Sequence, residues 1–140
     1  ISNFSKPNFR CRHNINYWKR GEYLGAGAGA HSFMGAGRFA NTADVPAYIE
    51  GIKEKKPVLS EYYSISEDEG IKESIILGLR MNEGVDLAKL SEEFGTDLTG
   101  RFREQLDRLL SLRLIELDGT VMRLTVLGMD LANRVFVEFI

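Results

Sequence analysis

The sequence predicts an α+β chain of two units, the second with the element order of a winged-helix-like domain. After residue 60, apolar residues recur three and four apart in three successive stretches. Two alternating runs around Asp118-Gly119 and a last amphipathic stretch follow. Residues 1–59 show no sustained helical period before Asp44, yet hold both histidines, the only cysteine, the only tryptophan and the densest glycine run. The charge also changes there. Residues 1–59 carry nine Lys/Arg against four Asp/Glu, a balance of +5, and residues 60–140 carry nine against sixteen, a balance of −7.

With 140 residues, 44% of them hydrophobic and 27% charged, the chain can bury a core and falls outside the disordered class. It contains no run of 18 apolar residues and no signal-peptide pattern, so a cytoplasmic protein is expected. A single cysteine excludes an internal disulfide and an all-cysteine metal cage. The opening Ile1 leads us to expect a fragment of a longer parent. A basic first unit suits an anionic ligand or partner, although the loss of acidic neighbours from a truncated domain would leave the same imbalance.

Taken in order, residues 1–21 are polar and aromatic by turns, contain Pro7, and are expected to be extended or looped. Tyr23-Leu24 is too short for a secure strand, and the following glycines bar a helix until Asp44. Asp44 can cap a helix bearing Val45, Tyr48, Ile49 and Ile52, with Pro46 in its first turn and an end near Lys55 or Lys56 before Pro57. From Leu59 onward we expect mainly helical scaffold. Ser66 and Glu69 form a capping-box pattern ahead of Ile71, Ile75, Ile76 and Leu79, with Gly84 as a stop. Asp86 opens a short helix with Leu87, Leu90 and Phe94, closed by Gly95. A third, starting between Thr96 and Thr99, buries Leu98, Phe102, Leu106, Leu109 and Leu110. Asp118-Gly119 turns a hairpin, and Thr125 caps a final helix with Leu127, Leu131, Val135 and Phe139.

Five chemistries compete for these residues. A winged helix suggests DNA binding through Arg101, Arg103, Gln105 and Arg108 of the third helix, but Glu104, Asp107 and the unit's −7 charge oppose phosphate contact. Gly25, Gly27 and Ala30, with Asp44 beyond, formally match a dinucleotide fingerprint. That motif needs a helix start after the glycines, and His31-Ser32-Phe33-Met34-Gly35 is not one. Close backbone packing, a tight bend or a bare wall beside a bulky cofactor fit the glycines better. Cys11 and His13 are too few for a zinc site, His31 stands 18 residues from His13, and a Cys–His nucleophile pair has no third group in view. Heme needs only one imidazole and a flat apolar wall; His13 could supply the ligand, Tyr17 and Trp18 the stacking, and Arg12, Lys19 and Arg20 the propionate contacts.

Three motifs carry a family resemblance: Ser2-Asn3-Phe4-Ser5-Lys6-Pro7, Cys11-Arg12-His13-Asn14-Ile15-Asn16-Tyr17-Trp18, and Tyr23-Leu24-Gly25-Ala26-Gly27-Ala28-Gly29-Ala30-His31-Ser32. Leu77-Gly78-Leu79-Arg80, Glu83-Gly84-Val85-Asp86 and Leu124-Thr125 through Gly128 extend it. Together they resemble the oxygen-independent coproporphyrinogen III oxidase family of radical S-adenosylmethionine proteins, and His-Asn-x-x-Tyr-Trp resembles the signature of its heme chaperone branch. The resemblance implies heme binding at His13, Asn14, Tyr17 and Trp18, with His13 as possible iron ligand and Asn14 orienting the imidazole or the loop. It also implies delivery of heme to acceptor proteins.

The same resemblance implies that residues 1–59 are the C-terminal edge of a radical S-adenosylmethionine partial α/β barrel with its linker helix. Residues 60–140 would then be the family's C-terminal domain, and Gly25, Gly27 and Gly29 barrel backbone near the cofactor cavity. The four-iron, four-sulfur cluster of that family needs a C-x-x-x-C-x-x-C motif, and this chain has Cys11 alone. Cluster and S-adenosylmethionine are therefore expected only in the parent, with no catalytic residue in this fragment. The alternative is a parent that is a true oxidase, converting propionates of coproporphyrinogen III to vinyl groups. A third possibility makes the winged-helix unit a protein-interaction or nucleic-acid module.

Overall fold

The computed structural model describes residues 4–140, so Ser2 and Asn3 of the opening motif, and the first three residues of the expected loop, lie outside it. In chain order the described residues form α1 (Arg12–Trp18), β1 (His31–Met34), β2 (Gly37–Asn41), α2 (Val45–Glu54), β3 (Leu59–Ser64) and α3 (Glu67–Gly78). Then come β4 (Val85–Asp86), α4 (Leu87–Phe94), α5 (Leu98–Arg101), α6 (Arg103–Ser111), β5 (Ile115–Asp118), β6 (Val121–Leu124), α7 (Val126–Asp130) and α8 (Ala132–Val137). The class is α+β, as expected.

Two compact units result: residues 21–66 form one, and residues 4–20 join residues 67–140 in the other. We expected a division near residue 59. The difference has two local causes. The segment 12–18 is a helix that packs on α3, and residues 59–64 are a strand that completes a sheet with β1 and β2.

In the 21–66 unit, β1, β2 and β3 make an antiparallel meander in the order β1-β2-β3. His31 pairs with Ala40 and Phe33 with Arg38, and Gly37 pairs with Ser64. Among the described residues all strand pairs are antiparallel. Phe33, Ala40 and Ile65 are its buried apolar residues, with Ser32. Helix α2 starts where the sequence places it: the Asp44 carboxylate accepts from Ala47 N at 2.9 Å, and Lys55 ends the helix in the left-handed region at φ 55°. Its apolar residues Val45, Ile49 and Ile52 stay about half exposed.

The other unit holds the core. Ile71, Ile75 and Leu79 of α3 and the turn after it meet Leu98, Phe102, Leu106 and Leu109, with Met122, Val135 and Phe139 closing the cluster. The Phe102 and Phe139 rings meet edge-on with centroids 5.4 Å apart. A second antiparallel sheet runs in the order β4-β6-β5, with Gly119 at φ 61° in the expected Asp118-Gly119 turn. Asp86 caps α4 through Ala88 N and Lys89 N and accepts a 2.8 Å bond from the Thr120 hydroxyl, tying the helix start to the hairpin. That hydroxyl is the chief reason the Asp86 carboxyl sits below its ordinary value. Thr125 caps α7 at Gly128 N, 2.9 Å away.

Two expected single helices are each broken. Phe102 (φ −103°, ψ 19°) separates α5 from α6, and Leu131 (φ −110°, ψ 27°) separates α7 from α8. Both breaks lie inside runs whose three-and-four spacing continues across them, so periodicity alone could not mark them.

Leu109 is fully buried in the cluster of α6. Leu109→Ala is expected to cost about 2–5 kcal/mol of unfolding free energy in urea denaturation, the range for an unfilled core cavity. Thr125→Ala should cost less, about 0.5–2 kcal/mol, through loss of the cap.

Candidate functional site

The His-Asn-x-x-Tyr-Trp motif lies on α1, not on a loop. The helix is under two turns long, buries none of its residues fully and so leaves no apolar period to read. Positions 13, 14, 17 and 18 fall within an arc of about 140° on its surface. His13 and Tyr17, one turn apart, meet edge to face with ring centroids 4.7 Å apart. The His13 side chain is exposed, and its ring makes no hydrogen bond among the described residues. Asn14 and Trp18 are half-buried on the adjoining arc.

Two ion pairs fasten this segment. After α1, Arg20 takes the left-handed region at φ 53°, which ends the helix, and its Nε donates to Glu73 of α3 at 3.2 Å. Before α1, the Arg10 guanidinium grips both carboxylate oxygens of Glu83, one of them at 2.9 Å. The Arg10 bond holds the Glu83 carboxyl below the ordinary glutamate range. Of the three cations expected to meet propionates, Arg20 is thus committed to Glu73.

Asn14, Ile15 and Trp18 line a cavity of about 620 Å³ together with Arg80, Met129 and Phe136 of the core unit. Cys11, the exposed N-cap of α1, reaches the same cavity as a free thiol. Sequence reasoning did not find Arg80, Met129 or Phe136 as site residues, because only the docking of α1 brings them beside the motif. The Leu77-Gly78-Leu79-Arg80 signpost was the available signal.

The glycine run sits in the other unit. A Cβ on Gly25 would lie 2.2 Å from the His31 carbonyl oxygen, and the Gly25 N–H donates to Ser32 Oγ at 2.9 Å. Gly27 and Gly29 take φ of 113° and 69°, and Gly29 N donates to Thr42 O at 2.9 Å. The run is a turn feeding β1, with His31 exposed at the strand's first position. Because it leads into a strand and Asp44 serves as a helix cap, the dinucleotide arrangement is not formed. Among the described residues, no three or more His, Cys, Asp or Glu side chains gather to hold a metal ion. On the expected DNA-facing helix region, Arg101 pairs with Asp68, and Arg108 with Glu138 at 3.1 Å, so two of its three arginines are answered internally. Among the described residues no helix is long and apolar enough to cross a membrane.

Residues 65–131 match the family described as HemN C-terminal domain. Over all 140 residues the chain is 36% identical to "Heme chaperone HemW" of Bacillus subtilis, covering 37% of that protein. It is 33% identical over 140 residues to the protein of the same name from Lactococcus lactis, covering 36% of it. The chain is thus similar to HemW proteins along its whole length, and residues 65–131 match the HemN C-terminal domain family. It spans little more than a third of the length of these relatives. Its fold is similar to that of the coproporphyrinogen III oxidase HemN from Escherichia coli, described as a radical SAM enzyme. The TM-score is 0.67 at 22% identity, over 85% of this chain and 28% of that one.

A carboxyl whose pKa is lowered in the folded state stabilises above its ordinary range and loses that contribution as pH falls through the folded value. Glu83 is such a group. Acidification below the usual glutamate range should release Arg10, read as faster amide exchange at Phe9 and its neighbours, and Glu83→Gln should show the same loosening at neutral pH.

Proposed function

We propose that this chain contributes the heme-binding element of a heme chaperone that passes heme to acceptor proteins. The observation that carries this is His13: an exposed imidazole on an ordered helix, its ring held edge-on to Tyr17 and unoccupied by any hydrogen bond among the described residues. A bound heme supplies an iron that accepts one imidazole and a flat apolar ring. The residues on α1 suit it. His13 offers the nitrogen ligand, Tyr17 packs on the imidazole and offers an aromatic face to the macrocycle, Trp18 extends that aromatic surface, and Asn14 orients the imidazole or its segment. Alignment of all 140 residues of this chain with part of relatives named heme chaperones supports this over the oxidase alternative.

In the same proposal the four-iron, four-sulfur cluster and S-adenosylmethionine belong to the remainder of the longer parent, because this chain's single thiol cannot hold the cluster. Residues 1–59 would be the end of that parent's partial barrel, with Gly25, Gly27 and Gly29 as backbone near its cofactor cavity. Residues 60–140 would be its C-terminal domain, of winged-helix type. The family match beginning at residue 65 supports the C-terminal assignment, and the β4-β6-β5 sheet suits the winged-helix type.

Hemin titration of wild type, His13→Ala and His31→Ala tests the ligand. The Soret shift should disappear and affinity fall at least about tenfold in His13→Ala alone, with unchanged circular dichroism because the side chain is exposed. Unchanged spectra and affinity in His13→Ala would remove His13 from the site.

A further inference from the structure

The cavity beside α1 has a chemistry that the motif by itself leaves unused. Its volume, about 620 Å³, is that of a small-molecule pocket. Trp18, Phe136 and Met129 are among its lining, aromatic and thioether surfaces suited to a flat polarisable ring. Two arginines reach the cavity, and their situations differ. Arg10 is gripped by Glu83, so its charge is answered within the protein. Arg80 has no ion-pair partner among the described residues; its guanidinium lies over the Phe136 ring, 5.0 Å from the centroid. Stacking occupies the face of a guanidinium and leaves its N–H edge for a planar carboxylate. Glu83, the acidic residue that follows Arg80 in sequence, is the one Arg10 holds. A flat aromatic wall beside one uncompensated guanidinium selects a planar, apolar molecule that carries a carboxylate.

We propose that this cavity receives the carboxylate-bearing edge of a tetrapyrrole, with Arg80 as the propionate contact and Trp18 and Phe136 as its walls. The identity of the ligand rests on the heme reading above, but the contact does not depend on His13. His13 lies outside the cavity lining, while Asn14 and Trp18 stand about 100° and 140° round the helix from it. Iron ligation and carboxylate recognition are therefore separable by mutation.

Titrations of the whole chain with hemin, hemin dimethyl ester and metal-free protoporphyrin IX test this, using wild type, Arg80→Gln, Arg80→Lys and His13→Ala. Wild type should bind hemin about tenfold or more tightly than the diester, the effect of one charge-assisted bond. Arg80→Gln should abolish that preference and weaken protoporphyrin binding by a similar factor, leaving diester affinity unchanged, and Arg80→Lys should restore part of it. Equal binding of hemin and diester by wild type, or full discrimination in Arg80→Gln, would overturn the proposal. The two readings fail separately. A hemin complex that depends on His13 but not on Arg80 sinks the propionate contact alone. Protoporphyrin binding that depends on Arg80, beside a Soret band indifferent to His13→Ala, sinks the iron ligand alone. Absence of porphyrin binding altogether sinks both.

Discussion

The docking of α1 on α3 decides what the first twenty residues can do. A helix of seven residues is too short to persist in water, because nucleation costs more than so few hydrogen bonds return. Tertiary contact must hold it. Arg20 supplies one fastening through Glu73, from a backbone conformation that is unfavourable for a side-chain-bearing residue. Gly70 permits the approach: a Cβ there would lie 3.1 Å from the Arg20 guanidinium and 3.3 Å from the Phe94 ring. Arg10 and Glu83 fasten the other end through an exposed pair whose own energy is small but whose geometry is bidentate. Helix α1 thereby becomes part of the core unit, and His13 is presented from a rigid support.

Much of the core unit was legible because its signals are local. Asp86 and Thr125 cap their helices as side chains with that geometry should, as Asp44 does in the other unit, and Asp118-Gly119 turns the hairpin. The apolar spacing of Ile71, Ile75 and Leu79, and of Leu98, Phe102, Leu106 and Leu109, identifies residues that are all buried. The elements that escaped lack such signals. Helix α1 is too short to show a period. Strand β3 is exposed along its whole length, so no inside–outside alternation marks it. The glycine run hides a β-hairpin start, because glycine serves the close approach of Gly25 to His31 and carries no strand propensity of its own.

The site was half legible. His13, Asn14, Tyr17 and Trp18 were singled out as a group, and α1 does bring them onto one arc. Their division was not visible in sequence: His13 and Tyr17 make a ring pair, while Asn14 and Trp18 line a cavity shared with residues more than sixty positions away. The charge asymmetry also reads differently in three dimensions. Arg10 and Arg20 from the basic first stretch are spent on Glu83 and Glu73 of the acidic unit, so part of the +5 is structural. Arg80, from the acidic half, is the cavity cation left without an acid partner among the described residues.

The proposed heme role requires that α1 be an ordered helix and that its fastening matter for hemin affinity. Amide hydrogen exchange in wild type and Glu73→Gln, followed by hemin titration of both, tests it most directly. The amides of Ile15, Lys19 and Arg20, which donate to Cys11, Ile15 and Tyr17 carbonyls, should be protected in wild type. Glu73→Gln should lose that protection and bind hemin more weakly together. Exchange at unfolded-chain rates in wild type, alongside tight hemin binding, would contradict the account.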